Sequence, residues 1–201
     1  MFKLNFIKKF KKFYFPFYKN KDIKLVFKKL KQSYPAETKV AMFVGGCVRK
    51  HLTNKDIDDI DIATILTTDQ IKENFRNTQF KVIDSGIKHG TVTLINKKIK
   101  LEITTLRKDI KTDGRHAKIE FTDNWVKDAE RRDFTINAIY SDINGNLFDP
   151  FDGKKDLENG IVKFVGNTEK RIKEDYLRIL RYFRFFSIYS KREHLTDVKT
   201  I

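Results

Sequence analysis

One cysteine, three prolines, one tryptophan and four histidines among 201 residues set the first limits. The lone thiol, Cys47, rules out an internal disulfide and suits a reducing cytosol, so the chain is expected to be cytoplasmic. Its simplest role is that of a small buried side chain beside two glycines. No two histidines stand at metal-ligand spacing, which removes a zinc site. No apolar run approaches the roughly 20 residues of a bilayer crossing, so no membrane span is expected. Acidic residues are missing altogether before Asp22.

What is present argues for a folded, anion-seeking chain. Hydrophobic residues make up 40%, and the 13% aromatic content is mostly Phe, which excludes a disordered polymer and allows one or two small domains. A net charge of +15 favours polyanionic partners, whether nucleic acid, nucleotides or an acidic membrane. The first 21 residues carry seven lysines and eight aromatics. Phe2, Phe6, Phe10, Phe13 and Phe17 recur at helical spacing until Pro16 interrupts. Three readings stand for this segment: a helix docking on the domain, a basic-aromatic arm for RNA or membrane, or an organelle presequence. A Lys-rich helical pattern follows from Asp22 to Lys31, with Ile23, Val26, Phe27 and Leu30 on it, and breaks at Ser33-Tyr34-Pro35.

The chain is organised around residues 40–64, VAMFVGGCVRKHLTNKDIDDIDIAT. An apolar run ends at Gly45-Gly46, a short helix and a polar loop follow, and a second apolar run carries Asp59 and Asp61. Residues two apart on a strand share a face, so the two carboxylates stand side by side while Ile60 and Ile62 face a core. Such a pair repels unless a cation sits with it, and Mg²⁺ takes one or two carboxylates and completes its shell with phosphates. A Gly-Gly corner lets backbone N–H groups approach an anion, with a helix N-terminus behind. The spacing points to a metal-bound nucleoside triphosphate. A tight turn and an unrelated D-x-D pair are the plainer alternative.

FVGGCVR followed by DIDIAT resembles the head of the class II tRNA nucleotidyltransferase and bacterial poly(A) polymerase family. AERRDFTINAI, residues 129–139, is similar to that family's ribose-binding motif. Asp133 and Asn137, four apart on a helix, would bond ribose hydroxyls, and Arg132 would reach a phosphate; alternatively Asp133 caps a helix starting at Phe134. EDYLRILRYFRF, residues 174–185, resembles the family's E-D-x-x-R motif. This implies that Glu174, Asp175 and Arg178 read the edges of ATP and CTP, with Arg181 and Arg184 continuing the ridge toward phosphates. The alternative is a surface ion pair on a helix that packs Leu177, Leu180 and Phe183. Asp113-Gly114-Arg115 looks like the family's D-G-R motif, linked there to domain movement, in what reads as a polar loop. The segment 86–93 favours the tRNA nucleotidyltransferase branch.

Other elements are expected as follows. Thr68 caps a helix reaching Arg76, and strands run over 80–83, 91–95, 99–105 and 161–165, the middle two joined by the turn Asn96-Lys97-Lys98. Glu102 is either a solvent-facing edge residue or a third carboxylate near the metal. Strands first and helices from about residue 123 suggest an α+β fold. The resemblance makes it a nucleotidyltransferase-type mixed sheet with flanking helices. The division expected is a basic-aromatic helical segment over 1–35, a nucleotidyltransferase head over 36–165 and the start of a helical neck over 166–201, with the family's body and tail absent.

The resemblance implies template-independent addition of CMP and AMP to the 3′ end of tRNA from CTP and ATP. Asp59 and Asp61 would be catalytic as ligands of Mg²⁺, and Gly45, Gly46 and Arg49 would help bind the nucleotide. Poly(A), A-adding and CC-adding activities share these motifs. Lys50 stands where the family usually has Asp, removing a carboxylate that would orient Arg49. With the absent body, it supports a rival reading, a catalytically silent RNA-binding module. Oligomeric state is not legible.

Overall fold

A computed structural model describes residues 19–86, 89–113 and 116–191, with the backbone alone at 111–113, 116 and 117. Its first element, α1 (Lys21–Lys31), starts where the Asn20 side chain accepts from the Asp22 and Ile23 amides. Ile23, Val26 and Leu30 lie on one helical face and are fully buried.

Strand β1 (Ala41–Val44) leads into α2 (Gly46–Leu52), and β2 (Asp61–Thr64) into α3 (Thr68–Phe75). The cap of α3 is Thr67, one residue before the expected Thr68. Thr67 and Gln70 bond each other's backbone in a reciprocal capping box, which only Thr67 can make because it stands three residues before a Gln. Strands β3 (Lys81–Gly86), β4 (Thr91–Ile95) and β5 (Lys100–Thr105) follow, then β6 (Arg107–Asp113) and β7 (His116–Phe121), α4 (Trp125–Glu130), β8 (Tyr140–Ser141), β9 (Leu147–Phe148), α5 (Gly153–Asn159), α6 (Thr168–Glu174) and α7 (Leu177–Tyr189).

Seven strands form one mixed sheet in the order β3-β4-β5-β2-β1-β8-β9, and β6 and β7 form a separate hairpin. Only β2 and β5 run parallel. The fold is α+β, as the pattern of elements suggested. Period-two alternation splits β1 between two cores: Phe43 faces α1 and α3, while Met42 and Val44 face Ala129 of α4 and Tyr140. No described helix is long and apolar enough to cross a membrane.

Two local expectations are corrected. Residues 161–165 form no strand. They contribute one bridge, Phe134 to Phe164, because the partner segment turns at once into a 3-10 helix over Thr135–Asn137. The tract after Asn167 is two helices, since Asp175 adopts an extended conformation and its carboxylate accepts from the Leu177 amide, restarting the chain. The loop expected at 113–116 lies in part outside the described residues; β6 and β7 pair as far as Asp113 and His116. The alternative reading of α7, with Leu177, Leu180 and Phe183 packed, does not hold, since they are 42%, 69% and 53% exposed. The helix turns Arg178, Tyr182, Phe185 and Tyr189 inward, where Tyr182 stacks on Phe164 and Phe185 meets Phe134 edge-on.

Candidate active site

Gly45 closes β1 with φ +68° and ψ −122°, a conformation that side chains resist, and it allows the chain to turn straight into α2. A Cβ placed there would stand 3.7 Å from Nη1 of Arg132. The corner is therefore walled by a guanidinium. Gly46 has open space around its Cα. One residue on, the Cys47 thiol contacts the Asp61 carbonyl at 3.6 Å, tying α2 to the start of β2. Burial pushes that thiol up to about 11, so it is a neutral packing group.

The strand β2 proper begins at Asp61, with Asp59 exposed just before it. The extended backbone nevertheless continues back, since the Glu102 amide bonds the Ile60 carbonyl at 3.0 Å. Ile60 and Ile62 are buried, as the alternation requires. Asp59, Asp61 and Glu102 line one small cavity of about 200 Å³, in which Asp61 is the direct register partner of Glu102. Glu102 is solvent-facing but not at an edge, because β5 lies between β4 and β2. Burial raises the Asp61 pKa, and the carboxylates of Glu102 and Asp59 raise it further against the partial offset of Arg132 and Arg49.

This is the chemistry of a cation site that phosphates complete. The donors are hard carboxylate oxygens, and their mutual repulsion is relieved by a divalent ion. Among the described residues no three His, Cys, Asp or Glu side chains enclose a metal by themselves.

The cationic side of the site is held by unexpected partners. Arg132 donates from Nε to the Tyr140 hydroxyl at 2.9 Å and from Nη2 to Asp128 at 3.0 Å. Tyr140 in turn donates to Asp128 at 2.7 Å, and Arg131 donates to the other carboxylate oxygen at 2.9 Å. Asp128 is 1% exposed. Burial alone would raise its pKa, but the two guanidiniums and the hydroxyl outweigh it and hold the carboxyl well below the usual range. The motif reading passed over this residue, although D-x-x-R-R places it one helical turn before both arginines.

Arg49 is buried and donates to Asn137 Oδ1. Its guanidinium lies 4.7 Å from the Phe185 ring centre and 5.1 Å from that of Tyr189. Its buried Nε has no hydrogen-bond partner among the described residues, and Lys50 points elsewhere, bonding Asp58. Asp133 and Asn137 do meet, Nδ2 donating to Oδ1 at 2.8 Å, but across the 3-10 turn rather than along an α-helix. Asp133 also accepts from the Phe134 amide but caps no helix, since the 3-10 turn starts at Thr135 with Phe134 as its uncapped N-cap; its other oxygen pairs with Arg181 at 2.6 Å.

In the E-D-x-x-R segment, Glu174 Oε2 is shared by Arg171 at 2.6 Å and Arg178 at 2.7 Å. Arg171 also donates to the carbonyls of Arg131 and Arg132 at 2.5 and 2.6 Å, fixing α6 to the end of α4. Asp175 and Arg178 are separated by the helix break. Arg184 is exposed and rests 4.9 Å from the Phe185 ring centre. The structure thus gathers Gly45, Asp61 and Arg132 with Asp59, and links Arg49 through Asn137 and Asp133 to Arg181. The side chains of Asp113 and Arg115 lie outside the described residues. Glu174→Gln leaves Arg171 and Arg178 facing each other without a counter-charge. It is expected to cost about 2 kcal/mol, a buried-pair figure reduced for partial exposure, read as an earlier urea midpoint.

A family profile described as "Poly A polymerase head domain" matches residues 41–163. Human CCA tRNA nucleotidyltransferase 1, mitochondrial, is 49% identical over 160 residues, covering 79% of this chain and 37% of that protein. The CCA-adding enzyme of Lactobacillus johnsonii is 46% identical over 149 residues, covering 73% of this chain and 36% of its own length. Among solved structures, the Bacillus stearothermophilus CCA-adding enzyme in complex with CTP aligns with TM-score 0.69 at 38% identity, covering 81% of this chain and 37% of that one. A tRNA nucleotidyltransferase complexed with a primer tRNA and an ATP analogue aligns with TM-score 0.60 at 32% identity, over 73% and 41%. The chain thus spans little more than a third of the length of these relatives, and the part it spans includes the glycine corner and both strand-borne carboxylates. By sequence and by fold, it belongs to the poly A polymerase head domain family.

Proposed function

We propose that the chain carries the nucleotidyl-transfer site of an enzyme that adds CMP and AMP to the 3′ end of tRNA, using CTP and ATP. The observation that carries this is the setting of Asp61, with carboxylates of Asp59 and Glu102 on one side and the guanidiniums of Arg49 and Arg132 on the other. Such a site is at odds with itself when empty and balanced when it holds a metal-bound triphosphate.

Asp59 and Asp61 would hold Mg²⁺, which when bound acidifies the RNA 3′-hydroxyl and neutralises charge on the leaving pyrophosphate. Arg132, beside the Gly45-Gly46 corner, takes the triphosphate, and Arg49 supports that charge from the α2 side. Asp133 and Asn137 take the ribose hydroxyls, the sugar displacing Arg181 from Asp133 so that Arg181 turns to phosphate, as Arg184 does from the exposed face. Arg178 spends Nη1 on Glu174 and the Arg171 carbonyl, which leaves Nη2 for a base edge, with Glu174 and Asp175 bracketing it. The buried single thiol fits a reducing compartment such as the cytosol.

Calorimetric titration with CTP tests the reading. Binding that requires Mg²⁺, together with incorporation of labelled CTP and ATP into tRNA lacking its CCA end, is the expected result. RNA binding with neither Mg²⁺-dependent CTP binding nor incorporation would replace it with a silent RNA-binding module.

A further inference from the structure

The largest cavity described, of about 700 Å³, is not at the carboxylates. It lies between α1, the start of β1 and the turn joining β8 to β9. From Lys39 at its rim to Gly45 is six residues of nearly extended chain, or roughly 20 Å.

Its shape follows from a short strand. On β1, β8 reaches only Phe43 and Val44, so among the described residues Ala41 and Met42 have a strand neighbour on one side alone. The apolar surface on the cavity's lining is the half-buried Phe27, Ala41 and Ile143 and the exposed Leu147, while Val40 and Met42 are buried. Along its α1 wall run Lys24, Lys28 and Lys31, spaced i, i+4 and i+7 and so on one helical face, over about 10 Å. Lys31 bonds the Ala36 carbonyl and Lys39 sits 4.4 Å from the Phe148 ring centre. Lys24 and Lys28 are exposed and unpaired among the described residues. On the opposite wall, Asp142 accepts from the Asn144 and Asn146 amides at 2.8 Å within its own turn, and Glu37 is the other acid among the described lining residues, against four lysines.

We propose that this groove is a second RNA-binding surface, taking a single-stranded segment whose phosphates follow the Lys24–Lys28–Lys31 row and whose bases rest on the apolar lining. A free nucleotide asks for converging donors, such as a glycine corner or a backbone nest. A row of separated cations beside an apolar strip instead matches successive phosphates of a strand. The lysine-rich first 21 residues enter α1 from the same end of the chain, extending the basic character in sequence. The groove does not depend on the transfer reaction, and its test involves no catalysis.

The probe is a fluorescein-labelled, 3′-phosphorylated single-stranded RNA of mixed sequence, titrated with the whole chain by fluorescence anisotropy across a salt series. Lys24→Gln/Lys28→Gln is expected to weaken binding about 10-fold at 0.1 M salt and to flatten the log–log salt slope by about 1.4, two single-strand phosphate contacts. Lys24→Arg/Lys28→Arg should retain both. A charge-matched control on the far strands, Lys81→Gln/Lys97→Gln, should change affinity less than about 2-fold. An equal loss in that control would reduce the effect to bulk charge and overturn the groove. So would an unchanged slope in Lys24→Gln/Lys28→Gln. Displacement of the labelled RNA by CMP, abolished in that variant, would make the cavity a mononucleotide pocket and overturn the strand reading.

Discussion

Asp61→Asn is expected to lower nucleotide incorporation by about 10³-fold or more while making the metal-free protein slightly more heat-stable. The two effects share one cause. The folded Asp61 holds its proton more tightly than an ordinary carboxylate, through burial first and then the charges of Glu102 and Asp59. The folded chain therefore binds more protons than the unfolded one as pH rises from the ordinary carboxylate value through the raised one. Stability contributed by this group is present at the low end of that window and lost as pH climbs through it. At neutral pH the ionised side chain is a cost, which the neutral amide removes; a gain on the order of 2 °C in melting temperature is the expected size. Mg²⁺ with CTP should raise the melting temperature of the wild type and leave that of Asp61→Asn unchanged. Asp59→Ala should lose activity comparably with a smaller thermal effect, because Asp59 is exposed. Incorporation within tenfold of wild type in either variant would remove the residue it substitutes as a metal ligand.

How far the site could be read from sequence depended on whether its residues met locally or across the fold. The β1–Gly45-Gly46–α2 unit was legible because apolar alternation, a glycine pair and helical spacing all occur within 13 residues, from Met42 to Asn54. α1 was legible for the same reason, through Ile23, Val26 and Leu30. The β6–β7 hairpin was not. Arg107–Asp113 alternates no apolar face, since the hairpin stands off the main sheet and has little core to mark it. The facing of α7 is not legible from its leucines and phenylalanines, because its buried side includes an arginine and two tyrosines. Burial of Arg178 is repaid by Glu174 and a carbonyl, and Tyr182, Phe185 and Tyr189 fill space around Phe134, Phe164 and the Arg49 guanidinium. Glu102 needed the parallel pairing of β2 with β5, a non-local fact that no spacing in the sequence encodes.

Asp128→Asn should be the most damaging substitution for stability, costing about 3–5 kcal/mol, because it strips the charge from a buried carboxylate that two guanidiniums share. The residue accepts from Arg131, Arg132, Tyr140 and the Arg107 amide, and solvent reaches almost none of it. An asparagine fits the space, but its NH₂ group turns a donor toward donors. The folded-state pKa is depressed, so the stabilisation is complete above the ordinary carboxylate value and is lost as pH falls below it toward the folded one. In urea denaturation, wild type and Asp128→Asn should therefore differ most at neutral pH and converge as the solution is acidified below about pH 4. The same substitution frees Arg132, whose hold on the Gly45 corner runs through Asp128 and Tyr140. CTP affinity should fall in the folded fraction as well, and Tyr140→Phe, which removes only the hydroxyl link, should show a milder form of that loss at little cost in stability. If Tyr140→Phe leaves CTP binding untouched while Asp128→Asn abolishes it, the hydroxyl is a bystander and the carboxylate alone positions the guanidinium.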